Sequence, residues 1–300
     1  MKIAVAGGTG FVGQSLCSCL HEEGHEVIVL TRDKSKRSNK RFTYVEWLGD
    51  ADMQTEPLHG VHAIIHLAGE SINTRWTEAK KKRILESRIR TTEAIHQWIK
   101  RLPEKPEVYL QASAVGFYGT SETKTFTEKN KQSGNDFLAQ VASEWENAGK
   151  SIEKENIRTV FLRFGVILDR KEGALPRMVL PYQLFAGGTI GSGKQWLSWI
   201  HMNDVCRLIQ FAVEKKNIRG PLNVTAPNPV QMKTFGKTIA SVLKRPHWLP
   251  MPAAALNLLL GEMCMLVTKG QRVLPEKALQ NGFRFQYNHL KEALEDLYRQ

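Results

Sequence analysis

Lys2-Ile3-Ala4-Val5-Ala6-Gly7-Gly8-Thr9-Gly10-Phe11-Val12-Gly13 opens the chain. Its first five residues are mostly apolar and partly β-branched, which is typical of a buried parallel strand. Gly8, Gly10 and Gly13 fit the pattern G-x-G-x-x-G, and the apolar spacing that follows predicts a helix. Glycines between a strand and a helix let the backbone approach a pyrophosphate, whose charge the helix N-terminus favours. The stretch therefore predicts a dinucleotide site made by Gly7, Gly8, Thr9, Gly10, Phe11, Val12 and Gly13.

The residues after the second predicted strand, Glu26 to Leu30, bear on which dinucleotide binds. An acidic residue there would hold a ribose 2′-hydroxyl, whereas an arginine suits a 2′-phosphate. Thr31 and Arg32 come directly after the strand and Asp33 lies one place further, so we expect NADP(H) to be preferred over NAD(H). Additional positive charge follows at Lys34, Lys36 and Arg37. The alternative interpretation is that Arg32 and these residues only form a solvated loop.

Composition excludes several classes of protein. The chain has 300 residues, 42% of them apolar, and a formal net charge of +12. No apolar run reaches the roughly 18 residues of a membrane span, and the N-terminus lacks the pattern of a signal peptide. The four cysteines, Cys17, Cys19, Cys206 and Cys264, have no zinc spacing, which predicts free thiols and no metal site. The basic residues form no aromatic-interleaved stripe. We expect a cytoplasmic protein that binds a small-molecule substrate and neither nucleic acid nor membrane; a homodimer stays open.

Alternating strands and helices predict an α/β fold with a doubly wound parallel sheet. Ligands lie at the carboxyl edge of such a sheet, so Leu67, Ala68 and Gly69, after the fourth strand, should contact the cofactor. His66, inside that strand, is interpreted as a core residue, and Asp204 as the cap of a later helix. Further strands are expected at 44–47, 63–67, 108–113, 158–163 and 222–224, and helices at 77–100, 136–152 and 235–243.

Three polar residues are the candidates for catalysis. Ser113 ends the fifth strand, Tyr118 lies in the loop beyond it, and Glu70 follows the fourth strand. Each has a structural alternative: Tyr118 packs as a loop aromatic and Glu70 caps the next segment. Arg163, after the sixth strand, is assigned to the cofactor or a substrate phosphate, or it ties two loops together. His201 is placed on the substrate side, or it only holds its loop.

These pieces resemble the extended branch of the short-chain dehydrogenase/reductase superfamily, and more narrowly its NAD(P)-dependent epimerase/dehydratase-like "epimerase family" with a C-terminal domain of unknown function. The resemblance covers nearly the whole chain. It implies a Rossmann-type domain, 1–168 with 199–226 returning to it, and a smaller C-terminal substrate-side lobe, 169–198 and 227–300. The motifs that carry it are His66-Leu-Ala-Gly69, Ala112-Ser-Ala-Val-Gly-Phe-Tyr-Gly119, Gly191-Ser-Gly-Lys-Gln-Trp-Leu-Ser-Trp-Ile-His201 and Gly270-Gln-Arg-Val-Leu-Pro275.

One part of the superfamily pattern is missing. Its chemistry uses a Tyr-x-x-x-Lys pair on the helix after the fifth strand, where the lysine lowers the tyrosine pKa. Here Phe137 and Val141 occupy that register, and the chain's one Tyr-x-x-x-Lys, at Tyr287 and Lys291, lies far away in the tail. The sequence therefore predicts an atypical NADP-binding reductase or nucleotide-sugar epimerase-like enzyme acting on a small anionic substrate. The alternative is an NADP-bound sensor or assembly module without turnover.

Overall fold

The computed structural model describes residues 1–33, 35–48 and 55–298. Its strands are β1 Lys2–Ala6, β2 Glu26–Thr31, β3 Thr43–Glu46, β4 Ala63–His66, β5 Val108–Ala114, β6 Thr125–Phe126, β7 Arg158–Phe164, β8 Val166–Leu168, β9 Trp196–Leu197, β10 Trp199–His201, β11 Gly220–Val224, β12 Val230–Gln231 and β13 Arg272–Val273. Its α-helices are α1 Phe11–Glu22, α2 Glu78–Arg101, α3 Phe137–Glu153, α4 Leu175–Gln183, α5 Met202–Glu214, α6 Met232–Leu243, α7 Ala253–Leu260, α8 Met265–Thr268, α9 Glu276–Gln280 and α10 Leu290–Tyr298.

The central sheet has seven described strands in the order β11-β7-β5-β4-β1-β2-β3, and every neighbouring pair is parallel. The chain leaves β1 for β2 on one side and returns to β4 on the other, which creates the switch point where such sheets bind ligands. The register pairs Ala6 with His66 and His66 with Gln111, so the carboxyl ends of β1, β4 and β5 lie side by side. The expected Rossmann-type α/β fold is confirmed.

Both faces of the sheet are buried, as the near-continuous apolar strands require. Ile3 and Val5 face one side and join a core with α1 and α5. Ala4 and Ala6 face the other side, where Trp98 of α2 and Ile152 of α3 cover them. Because β1 is packed from both sides, the glycines that follow it are held on a rigid support.

A third apolar cluster joins Trp199 to α4, α6 and α10. Three short two-stranded pairs accompany it: β8 with β10, β9 with β12, and β6 with β13. These pairs bring the segments 196–198 and 265–271 over the carboxyl edge of the central sheet, where both line the same cleft. The cleft is therefore bounded on one side by the sheet and on the other by the C-terminal part of the chain.

The expected cap of α5 is wrong. The N-cap is His201, whose Nδ1 accepts the backbone N–H of Asn203 at 3.1 Å. Asp204 lies in the first turn instead, fully buried, where it accepts the backbone N–H groups of Gln286 and Tyr287. A carboxylate caps a helix from the N-cap position, whereas Asp204 lies inside the first turn. Its carboxylate instead holds the backbone at Gln286 and Tyr287.

Candidate functional site

The loop after β1 requires glycine at two positions. Gly7 has φ of +82°, and a Cβ there would lie 2.8 Å from the backbone nitrogen of Ala68. A Cβ on Gly13 would lie 2.2 Å from the carbonyl oxygen of Gly7, because α1 packs directly on the loop. Gly10 is the N-cap of α1 and offers no side-chain cap. The first-turn N–H groups of α1 are therefore left to a ligand, as an anion-binding helix N-terminus needs.

A cleft of about 640 Å³ runs from this loop along the carboxyl ends of the strands to the C-terminal part of the chain. At one end it is lined by backbone of the glycine loop; at the other it is lined by side chains of α3 and α8. The residues around it are Gly7, Gly10, Phe11, Val12, Gly13, Leu67, Gly69, Ser71, Ile72, Arg88, Ala112, Ser113, Ala114, Val115, Gly116, Gly119, Thr120, Asp136, Leu138, Val141, Ala142, Trp145, Phe164, Gly165, Val166, Trp196, Leu197, Ser198, Met265, Leu266, Lys269, Gly270 and Gln271.

The turn after β2 carries an exposed arginine and an exposed aspartate that is hydrogen bonded within the turn. Asp33 Oδ1 accepts the backbone N–H of Ser35 at 2.9 Å and its hydroxyl at 2.6 Å, and these bonds hold the pKa of Asp33 below its usual value. The Asp33 N–H donates to Thr31 Oγ1 at 3.0 Å. Arg32 is exposed at the same edge, close enough to Glu70 to contribute to lowering that carboxyl's pKa. Lys34 lies outside the described residues.

The segment after β4 forms the floor of the cleft. Leu67 and Gly69 line it, and the Leu67 N–H donates to the carbonyl of Ala6 at 2.8 Å. Ala68 packs behind them against the core. A Cβ on Gly69 would lie 3.2 Å from Cζ of Arg88, so the guanidinium fits closely over the backbone at this point.

Glu70, a candidate base, is already engaged. It accepts a hydrogen bond from Lys80 Nζ at 2.5 Å, and this contact is the main reason that the Glu70 pKa lies below its usual value. Glu70 is not among the residues around the cleft. The pair also explains why a lysine is tolerated in the first turn of α2, where it opposes the helix dipole. A carboxylate that is charged and paired is a weak base.

Ser113 lines the cleft and is the visible end of a buried polar chain. Its hydroxyl donates to Glu146 Oε1 at 2.7 Å, and Arg163 holds the same carboxylate through Nε at 2.7 Å and through Nη2 to Oε2 at 2.8 Å. Arg163 also lies over the ring of Phe117, with Cζ 3.5 Å from its centroid. The structure thus places Arg163 beneath the cleft, tying β7 to α3, and the residues around the cleft do not include it.

Sequence reasoning missed Glu146. A signal was available, since Ala142, Glu146 and Gly149 fall on one helical face of α3 together with apolar neighbours. A charged residue on a buried face needs a buried partner, and Arg163 was the arginine within reach.

Tyr118 and His201 both point away from the cleft. The Tyr118 hydroxyl donates to Asn223 Oδ1 at 2.8 Å, its ring stacks on Phe126, and burial raises its pKa. His201 is buried against Tyr287, with ring centroids 4.0 Å apart, and caps α5. Neither residue is among those that surround the cleft.

The face of α3 that meets the cleft is apolar. Leu138, Val141, Ala142 and Trp145 line it, while the ring of Phe137 packs against Trp76 with centroids 5.3 Å apart. The register at which the superfamily carries tyrosine and lysine is thus occupied by packing residues. His66 lies beneath this wall in the core, hydrogen bonded to Tyr109 and Thr91, and burial lowers its pKa to about 3.

The described residues form neither a metal cluster nor a membrane-spanning helix. Within these ranges, no three histidine, cysteine, aspartate or glutamate side chains come together as a metal site would require. The cysteines are free thiols. The described helices include none with the length and apolar character to cross a bilayer.

Comparison with known proteins extends these observations. Residues 3–224 match the NAD-dependent epimerase/dehydratase family, and residues 251–297 match a domain of unknown function, DUF1731. The chain is 53% identical to the epimerase family protein YfhF of Bacillus subtilis over 99% of this chain and 98% of that protein. It is 42% identical to the chloroplastic SDR39U1 homologue of Arabidopsis thaliana over 98% of this chain and 86% of that protein. The crystal structure of human epimerase family protein SDR39U1 with NADPH superposes with a TM-score of 0.90, at 31% identity and 99% coverage of both chains.

Proposed function

The chain belongs to the NAD-dependent epimerase/dehydratase family, and from that membership we propose that it binds NADP(H) in the cleft and acts as an atypical reductase or epimerase-like enzyme on a small anionic molecule. The observation that carries the choice of NADP(H) is the turn after β2. Asp33 Oδ1 accepts two hydrogen bonds from Ser35, and Arg32, directly after β2, is exposed at the sheet edge. A guanidinium there suits a 2′-phosphate. The human relative of known structure was crystallised with NADPH.

The residues fit such a cofactor. Gly7 and Gly13 leave no room for a side chain, so the backbone forms the cradle, and the N-terminus of α1 would face the pyrophosphate. Leu67 and Gly69 would lie against the middle of the dinucleotide, and Ser113 and Val115 near its nicotinamide. When bound, the nicotinamide supplies or accepts a hydride.

The chain's own residues position the ligand and exclude water. The Ser113 hydroxyl donates a hydrogen bond to the Glu146 carboxylate, whose charge Arg163 neutralises. The hydroxyl oxygen of Ser113 can therefore accept a hydrogen bond from a ligand in the cleft. The apolar face of α3 shields the reacting centre from water. Arg88 stands over Trp145, with Cζ 4.9 Å from the ring centroid, and supplies positive charge beside that wall. We propose that residues 169–198 and 227–300 form the lobe that covers the substrate.

A second candidate is an NADP-bound sensor or assembly module without turnover. The observation that favours it is the occupation of the acid–base register by Phe137 and Val141. Tyr118 and Glu70, the candidates to replace the missing pair, are hydrogen bonded to Asn223 and Lys80.

Replacing Arg32 with alanine tests the cofactor assignment. We expect NADPH affinity to fall by about 1.5–3 kcal/mol, since a charged hydrogen bond is lost, while NADH affinity stays unchanged. Lys36→Ala, in the same basic turn, is the matched control and should leave both affinities nearly as they are. Equal losses for the two cofactors in Arg32→Ala would refute the assignment.

Label transfer separates the enzyme from the sensor. Protein loaded with NADPH deuterated at C4 is incubated with a panel of anionic metabolites, and products are examined by mass spectrometry. Deuterium in any product supports the enzyme. Because an epimerase takes a hydride onto NADP+ and returns it to the substrate, protein loaded with NADP+ is incubated with the same panel and examined for epimerised product. Tight cofactor binding with neither deuterium transfer nor epimerisation supports the sensor.

A further inference from the structure

The end of the cleft away from the glycine loop has walls of apolar side chains, which suit a nucleotide sugar poorly. On one side are Leu138, Val141 and Trp145 of α3, and on the other Met265 and Leu266 of α8. All of these except Trp145 belong to one apolar cluster around Trp76 and Ile84. Methionine adapts its shape to irregular apolar ligands. The walls therefore favour a hydrocarbon or aromatic surface.

The polar side chains that line the cleft include Ser71, Thr120 and Gln271, and several others already have partners within the protein. In the described ranges the one carboxylate that lines the cleft is Asp136, and its Oδ1 already caps α3 through the N–H of Ala139 at 3.0 Å. The Ser198 hydroxyl donates to the carbonyl of Gln271 and accepts the N–H of Val273. The Ser113 hydroxyl donates its hydrogen bond to Glu146. A sugar placed against these walls would leave hydroxyl groups unpaired, which costs free energy.

Two cations, Arg88 and Lys269, also line the cleft. Arg88 is half-buried over Trp145, anchored by donating to the carbonyls of Glu70 and Ile84, and burial lowers its pKa to about 10, so it stays charged at neutral pH. Lys269 is exposed at the rim after α8. With Asp136 engaged as a cap, the charge at this end is positive, and a cation beside a low-dielectric wall attracts an anion strongly.

We infer that the substrate is a mostly apolar molecule with a single acidic group, whose body lies between α3 and α8 and whose carboxylate, sulfonate or phosphate meets Arg88 and Lys269. The inference rests on the proposed function because it assumes that the nicotinamide of the bound cofactor lies beside Ser113. It narrows the anionic substrate to a class that excludes nucleotide sugars.

Calorimetric titration of the full-length protein tests this inference with three probes. The probes are naphthalene-2-carboxylate, its neutral carboxamide and UDP-glucose, each added to protein saturated with NADPH. We expect the carboxylate to bind about tenfold tighter than the carboxamide, because a charged contact is gained, and UDP-glucose to bind more weakly than either. Equal affinity for acid and amide, no binding by either, or tighter binding of UDP-glucose overturns the inference.

Variants locate the binding. Lys269→Gln, at an exposed position, and Arg88→Gln should each reduce the preference for the acid over the amide several-fold. Val141→Asn should weaken both naphthyl probes. Trp248→Ala, which removes an exposed aromatic that does not line the cleft, is the matched control and should change nothing. An unchanged acid preference in Lys269→Gln and Arg88→Gln contradicts the assignment.

NADPH binding and the substrate class can be tested separately. NADPH affinity is measured first: if NADPH does not bind, the proposed function falls, and the same probes titrated into cofactor-free protein still test the cleft. If NADPH binds and the acid shows no advantage, only the substrate class falls.

Discussion

The two ends of the cleft differ in what they present to a ligand: backbone at one end and side chains at the other. At the glycine end, Gly7, Gly10 and Gly13 present backbone, and a side chain at Gly7 or Gly13 would collide with backbone atoms of Ala68 or Gly7. At the other end, Leu138, Val141 and Trp145 present side chains on the same scaffold. Backbone groups at a helix N-terminus can serve one ligand chemistry only, whereas side chains on a helix face can be replaced one by one. The residues that would carry the reaction can therefore change in this fold while the backbone that would hold the cofactor stays the same.

The largest expected effect comes from filling the glycine end. In Gly13→Ala the new Cβ meets the Gly7 carbonyl and the Gly8 Cα, 2.6 Å away, so α1 must move off the loop. We expect the free energy of unfolding to fall by about 3 kcal/mol and NADPH binding to be lost. Chemical denaturation and NADPH fluorescence measure the two quantities.

Gly24→Ala is the matched control for that substitution. Gly24 has φ of +78°, yet within the described part of the chain nothing lies within 4 Å of a Cβ placed there. A loss of about 1 kcal/mol with unchanged NADPH binding is expected from backbone strain alone. Similar behaviour of the two variants would break the comparison, because the backbone contacts at Gly13 would then cost no more than the backbone strain at Gly24.

A smaller effect, about 2 kcal/mol between pH 6.5 and pH 5, tests the scaffold beneath the boundary between the two ends. His66 ends β4, and its ring meets that of Trp145 with centroids 5.9 Å apart. Its folded pKa of about 3 lies below the unfolded value near 6.5, so the unfolded chain binds the proton more readily in that window. Stability should therefore be complete above pH 6.5 and fall by about 1.4 kcal/mol per pH unit from this group as the pH drops towards 3.

The pH effect is isolated by comparison with His66→Gln. Glutamine does not titrate, so the free energy of unfolding of that variant should depend less steeply on pH between 6.5 and 4 than that of the wild type. Denaturation curves at pH 7, 6 and 5 give the two slopes. Parallel slopes would contradict the lowered pKa, because His66 would then bind its proton equally well in the folded and the unfolded chain.

The smallest effect concerns Tyr118, which the sequence offered as an acid. Its hydroxyl reaches Asn223 outside the cleft, so Tyr118→Phe should cost about 1 kcal/mol of stability and leave NADPH affinity and label transfer unchanged. Ser113→Ala provides the contrast, since Ser113 lines the cleft and its loss should alter ligand binding there. Loss of label transfer in Tyr118→Phe with NADPH still bound would return the tyrosine to the mechanism.

Much of the fold could be predicted from sequence because it depends on periodicity. Buried parallel strands are short apolar runs, and the glycine pattern between a strand and a helix has a steric cause at Gly13. The predicted helices at 77–100 and 136–152 agree with α2 and α3 to within a residue at each end. These features are local, so a local pattern suffices.

The side-chain assignments depend on direction, which local sequence does not give. Ser113 and Arg163 each lie one residue before the end of a sheet strand and Tyr118 follows such a strand, yet of the three only Ser113 lines the cleft. Where each side chain points was decided by partners distant in sequence: Asn223 for Tyr118 and Glu146 for Arg163. Position along a strand predicts the edge of the sheet that a residue reaches, and tertiary contacts decide which side chains meet the ligand.

The central claim is that the glycine end holds NADP(H) with its 2′-phosphate beside Arg32, and a crystal structure of the protein grown with NADPH tests it most directly. The account predicts the pyrophosphate at the N-terminus of α1 and a 2′-phosphate oxygen about 2.7–3.2 Å from the Arg32 guanidinium. A dinucleotide bound with that phosphate away from Arg32, or protein that excludes NADPH from the glycine loop, would contradict it.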